Sequence, residues 1–308
     1  MAEAKSSQAR RPTALAKGRR LFAPLSPVVY LGKPVERGGP VRIIVCIKSV
    51  PSTVEVQFHP ETKTLMRDQV ASTINPFDLY AIEEALRLVE AYGGSVTALT
   101  MGPPQAEQEL RDALAMGCDE AILLSSPAFA GADTWATAYT LAQAIRQLGP
   151  CDLILCGKQA IDGDTGQVGP GIATQLGWPQ ITYVSRIRNL DPSTGRIVVE
   201  RLLEEGTEVV EARLPALLTV LKDINIPRDP NPRLLRRARR AEIPIWNESN
   251  LAGAEARFFG LQGSPTQVVR VFSPPRREGE VTWVTGNTPD EIAERLAEHL
   301  QREGFIAS

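Results

Sequence analysis

Histidine is almost missing from this chain. His59 and His299 are the only two in 308 residues, and neither has a second His, Cys or carboxylate at metal-ligand spacing. Metal catalysis and Ser-His-Asp chemistry are therefore not expected. Cysteine is scarce as well: Cys46, Cys118, Cys151 and Cys156 form no CxxC pair, and the last two lie too far apart for a zinc knuckle. Such usage fits a reducing compartment, and the cytoplasm is the expected one. No apolar run approaches the length of a membrane span, because each is broken by Gly, Pro or charge. Aromatics make up only 6% and do not interleave with the basic residues, which argues against nucleic-acid binding.

What is present suffices for a large core. With 43% hydrophobic and 23% charged residues, one big domain with smaller attachments is expected. Charge is unevenly placed: residues 1–40 carry a formal +6, leaving −8 on the other 268, given −2 overall. That Pro- and Gly-rich head has no sustained period and reads as a disordered basic extension. A mitochondrial presequence, placing the protein in the matrix, is the alternative, against which Glu3 and weak amphipathicity count.

From Val41 onward strands and helices alternate. VRIIVCIK (41–48) is a continuous β-branched run, the mark of a strand covered on both faces. A polar, hairpin-like stretch over 54–70 follows. In INPFDLYAIEEALRLVEAYGG, Asn75 suits a helix cap, Pro76 the first helical position, and Asp78 the capping-box position, with Ile82, Ala85, Leu86 and Val89 on one face. SVTALTMG (95–102), DEAILLSS and CDLILCG (151–157) read as three more strands, separated by helices over PPQAEQELRDALAMG and after Asp133. This order predicts an α/β fold: a Rossmann-like, parallel, doubly wound sheet. Ligands of such sheets collect beyond the carboxyl ends of the strands, which gathers the loops 46–50, 101–104 and 157–169 on one edge.

The loop CGKQAIDGDTGQVGP (156–170) concentrates glycines and two aspartates where a strand hands over to a helix. Gly157, Gly163, Gly166 and Gly169 allow close backbone approach, and the following helix offers free N–H groups to an anion. Asp162 and Asp164 would repel a phosphate unless turned aside to cap the helix or hold Lys158. The loop is neither a Walker loop nor GxGxxG, so spacing alone leaves open both a phosphate cradle and a glycine-rich connector with capping aspartates.

GKQAIDGDTGQVGP followed by LGWPQITYV, together with VRIIVCIKSVP, INPFDLYAIEEALRL and LRDALAMGCDEAILL, closely resembles the β subunit of electron transfer flavoproteins, FixA-type proteins included. The likeness spans roughly 41–246, more loosely to the chain end. It implies an electron-carrier subunit rather than a stand-alone enzyme, paired with an FAD-bearing α subunit and moving electrons from flavin dehydrogenases, or from NADH in bifurcating members, to a quinone reductase or ferredoxin-type acceptor. It also implies an adenine nucleotide inside this subunit. Carried over by motif, that shell is Cys46, Asn75, Pro76, Phe77, Asp78, Met101, Gly157, Lys158, Gln159, Ala160, Ile161, Asp162, Gly163, Asp164, Thr165, Gly166, Gln167 and Val168. AMP-binding relatives end the loop in Asn-Gln-Thr; Gly166, Gln167 and Val168 here resemble the bifurcating form, so a second FAD is favoured over AMP.

After the α/β domain (41–224) the sequence reads as an antiparallel hairpin extension ending on an apolar strand, with turns at 191–195 and 205–206. The segment 225–249 holds six arginines among four prolines between 225 and 246. A solvated basic helix is its plain reading; the resemblance implies a partner-recognition loop, with Pro232, Leu234, Leu235, Arg236 and Arg237 at the matching positions. Pro232 departs from the family's leucine there. Residues 250–308 comprise a linker, a short strand QVVRVFSPP and a helix with Ile292, Leu296 and Leu300 on one face. Periodicity predicts a core helix of this chain, whereas the resemblance implies an arm reaching the α subunit. A universal-stress-type nucleotide sensor is the alternative function, though it leaves the hairpin and the arginine segment unexplained.

Overall fold

The computed structural model describes residues 28–30, 39–52, 71–269 and 281–306. The chain divides into two compact units, one ending at Gln267 and the other beginning at Val268.

In the first unit, β1 (Val28–Tyr30) precedes β2 (Val41–Cys46), and a short hairpin pairs β3 (Ser49–Pro51) with β4 (Ser72–Ile74). The polar stretch expected over 54–70 lies outside the described residues. Then come α1 (Pro76–Tyr92), β5 (Gly94–Met101), α2 (Glu107–Met116), β6 (Glu120–Leu124), α3 (Thr134–Leu148), β7 (Leu153–Gly157) and α4 (Val168–Leu176). The meander β8 (Gln180–Asp191), β9 (Arg196–Leu203) and β10 (Gly206–Arg213) leads into β11 (Ala216–Val220). Last are α5 (Pro232–Ala238), β12 (Ile245–Trp246) and the single turn α6 (Gly260–Gly263).

Ten strands form one sheet in the order β1-β10-β9-β8-β11-β7-β2-β5-β6-β12. From β8 to β12 every pair is parallel; β8, β9 and β10 pair antiparallel, and β1 joins β10 in parallel. Both faces of the parallel block are covered, which is why β2 is apolar at every position but Arg42. Val41, Ile43 and Val45 pack under α1 and α2 with Ile82, Leu86 and Leu110. Ile44 and Cys46 face the other way, under α3 and α4 with Leu141, Ile145 and Ile172.

Two expectations change. Val28–Tyr30, inside the segment read as a disordered extension, forms a strand on β10. The apolar strand closing the meander, β11, does not stay with it but inserts between β8 and β7, parallel to both. The first half of β8 thus belongs to the parallel block and the second half to the meander, with a register shift between Leu218 and Val220 and Tyr183 at φ 59°.

Residues 250–267 stay with the first unit, where Leu251 and Phe259 are buried and Phe258 packs against Trp135 and Tyr139. Asp133 caps α3 through Trp135 N and Ala136 N, and its other oxygen accepts from Thr266 N and Oγ1. The second unit holds α7 (Pro289–Arg302), capped by Thr288. Within its own unit no residue of α7 is buried, and Ile292 and Leu296 are exposed. The predicted strand over QVVRVFSPP falls mostly outside the described residues.

Candidate functional site

Chain order reverses between β2 and β7. After β2 the sheet grows through β5 and β6 on one side, then returns across β2 to add β7, so the carboxyl ends of β2 and β7 flank a crevice. Cys46 and Cys156 pair in register there, with both thiols buried. The neighbouring Cys46 and burial push the Cys156 thiol well above its ordinary value, so it stays a neutral part of the floor. Met101, at the end of β5, packs in the same cluster.

One carboxylate joins the three elements around this crevice. Asp78, buried in the first turn of α1, accepts from Lys48 N at 2.8 Å after β2 and from Gly157 N at 3.1 Å at the end of β7. Burial pushes its carboxyl up to about 7, against those two N–H groups, the Asn75 side chain and the Lys48 charge. With one oxygen on each backbone donor, Asp78 is a strut between elements rather than a free base. Gly157 makes this contact possible: a Cβ there would lie 2.4 Å from Asp78 Oδ1.

The capping box expected at Asn75 and Asp78 does not form. Asn75 stands at the cap position but its side chain makes no cap bond to a helix N–H. Its Nδ2 instead donates to Gln159 O at 2.9 Å, and its Oδ1 accepts from Ile161 N at 3.1 Å. The helix gives up a cap so that the loop after β7 is tied to α1. Phe77 lies under the Lys158 ammonium at 4.9 Å from the ring centroid, and Pro76 takes the first helical position as expected.

The two loop aspartates are also turned aside, though not as the sequence suggested. Lys48, not Lys158, pairs with Asp162, at 2.7 Å to each oxygen. Asp164, at φ 54°, donates its N–H to Ala160 O and accepts from the Gln159 side chain. Gly166 then turns the chain at φ 62° into α4, whose cap position, Gln167, makes no side-chain cap bond. Among the described residues, the N–H groups of Thr165, Gly166, Gln167 and Val168 take no hydrogen-bond partner. With Asp162 and Gly163 exposed, this rim offers unpaired donors at a helix start, which suits an anion.

The structure therefore brings Cys46, Asn75–Asp78, Met101 and 157–168 to one sheet edge. Lys48 belongs with them, and its signal in the sequence is a lone cation directly after the apolar run of β2. The residues expected for partner recognition lie elsewhere. On α5, which packs on α2, Leu234 and Leu235 are half-buried in their own subunit, while Pro232, Arg236 and Arg237 are exposed. Among the described residues no cluster of His, Cys, Asp and Glu could hold a metal ion, and no helix is long and apolar enough to cross a membrane.

Comparison with known proteins decides the family. The model of the electron transfer flavoprotein domain matches residues 62–251. The chain is 46% identical over 267 residues to Protein FixA of Azorhizobium caulinodans, covering 85% of this chain and 95% of that protein. It is 48% identical over 268 residues to the electron transfer flavoprotein subunit beta of Thermoanaerobacterium thermosaccharolyticum, covering 86% and 100%. The caffeyl-CoA reductase-Etf complex subunit CarD of Acetobacterium woodii is 46% identical over 267 residues, covering 86% and 100%.

The chain belongs to the electron transfer flavoprotein family. Its role in electron transfer is that of a β subunit, and the universal-stress alternative is not favoured. Membership implies an α-subunit partner, association with flavin or nucleotide, and electron-transfer partners.

Proposed function

We propose that the cleft between β2 and β7 of this electron transfer flavoprotein β subunit binds an adenine nucleotide, FAD in preference to AMP. The row of unpaired N–H groups from Thr165 to Val168, at the switch point of the sheet, supports this reading most directly. Those donors would meet the diphosphate, Gly166 leaves room for close approach, and the Asn75 and Asp78 braces hold the cradle in place. Lys48 shares its charge with Asp162 in a half-exposed pair worth about 1 kcal/mol or less, weak enough to yield to a phosphate. The flavin, when bound, supplies the redox chemistry; the chain supplies position and surroundings.

In this reading the heterodimer carries electrons from flavin dehydrogenases, or from NADH, to a quinone reductase or a ferredoxin-type acceptor, in the cytoplasm. The arm from Val268 onward lies on the α subunit, which would cover Ile292, Leu296 and Trp283, the last 82% exposed in this chain alone. Acid extraction of the purified heterodimer, with flavin and AMP quantified against protein, tests the site. Close to two FAD per heterodimer is expected. One FAD with one AMP keeps the cleft but reverses the preference, and one FAD with no second adenine compound ends the proposal.

A further inference from the structure

Tyr183 combines features that the sheet alone does not require of one residue. Its backbone lies at φ 59°, in the left-handed region, and the other non-glycine residue found there among those described is Asp164, in the loop after β7. The cause is a bulge: Leu218 pairs with Ile181 and Val220 with Val184, so Thr182 and Tyr183 together face Thr219 across the ladder. Ile181 and Val184 both keep their places in the core by this device, where β8 passes from the parallel block into the meander. A glycine takes such a bend at no steric cost, whereas a bulky residue is strained by it. The chain instead places a tyrosine at the bend and leaves it 45% exposed. Bulges of this kind re-aim a side chain, and strained residues that persist mark functional positions.

The bend lies beside the rim of unpaired donors. Tyr183 N donates to Thr219 Oγ1 at 3.3 Å, and Thr219 is buried against the first turn of α4, where a Cβ on Gly169 would meet Thr219 Cγ2 at 2.8 Å. Gly169 directly follows the free N–H groups of 165–168. Val220, next to Thr219, pairs with Gly157 on one side and with Val184 on the other. Tyr183 therefore stands at the same sheet edge as the rim, on a strand two spacings, about 10 Å, beyond β7. A mononucleotide entering from the β2 side ends where its phosphate meets the rim. A dinucleotide continues past it, and its second ring system needs a flat surface to pack on. We infer that Tyr183 is the platform for the ring of a flavin dinucleotide, and so the residue by which this cleft selects FAD over AMP. This rests on the nucleotide site proposed above and adds the residue that sets its preference.

The test titrates the purified heterodimer with AMP and follows the release of flavin by fluorescence, with FAD and AMP counted in the protein that remains. From Tyr183→Ala the second FAD should come off at about tenfold less AMP than from the parent, and from Tyr183→Phe, which keeps the ring, within about twofold of it. Isolation of the Ala variant with AMP already in place of the second FAD is the same result. Tyr183→Gly separates strain from binding. With the backbone relieved, the nucleotide-free heterodimer should melt no lower than the parent, yet lose FAD as readily as the Ala variant does. An AMP midpoint for the Ala and Gly variants equal to that of the parent overturns the inference and leaves the nucleotide site standing. A parent that carries AMP in place of a second FAD does the same. A parent with no second adenine compound removes the site itself, and this inference with it.

Discussion

Gly157→Ala should cost the protein its folded cleft. The added Cβ would sit 2.4 Å from Asp78 Oδ1, the end of a side chain pinned by two backbone donors, and 2.7 Å from the Phe77 carbonyl carbon, which is backbone. Relief requires the start of α1 to move off β7, which breaks the Asp78 bonds as well. The expected destabilisation is at or above the upper end of the roughly 1–3 kcal/mol typical of overpacking. Thermal unfolding of the heterodimer and its bound nucleotide content measure it. Gly163→Ala is the matched control: nothing lies within 4 Å of that Cβ, so a change within about 0.5 kcal/mol is expected. Equal effects at both positions would mean that the close approach at Gly157 does not matter.

Asp78→Asn gives the second large effect, and one that depends on pH. The amide keeps the shape but can accept through only one of its two terminal atoms, so the N–H of Lys48 or of Gly157 is left facing another donor, at a cost of about 1–3 kcal/mol. Burial, opposed by these donors, Asn75 and Lys48, holds the Asp78 carboxyl at about 7, above its ordinary 3.8. Between those values the folded protein retains a proton that the unfolded chain releases. The stabilising contribution of this group is therefore complete below about pH 4 and is lost as pH rises through 7. Denaturant titrations from pH 5 to 8 should show that slope in the parent and not in the Asn variant. An identical slope in both would assign the titration to another group.

The strands of the parallel block were legible because continuous β-branched runs such as 41–46 arise where both faces are covered, and chain order alone put three loops on one edge. The local bonds around Asn75 were not. A capping rule sees only the helix and its four nearest donors, whereas the competing partners, Gly157, Gln159 and Ile161, lie about eighty residues further on. Pattern likewise marked the apolar stripe of α7 without saying what covers it, and described the apolar strand 216–220 without fixing its neighbours. In the basic segment Leu234 and Leu235 are the expected partner contacts by residue type, yet they are half-buried while Ile226 is exposed. Exposure depends on where the chain is pinned, and the pins are Asn225 and Arg228.

Helix α1 braces two regions of the chain, with Asn75 and Asp78 tied to the loop and strand end around 157–161 and Glu83, Glu84 and Glu90 tied to the segment 225–228. The count of residues between these groups is consequently fixed by geometry. One inserted amino acid between Asp78 and Glu83 would swing Glu83 about 100° around the axis and advance it about 1.5 Å, out of reach of Arg228. The interval of five residues from Asp78 to Glu83 has no room to lengthen or shorten while both sets of bonds are kept.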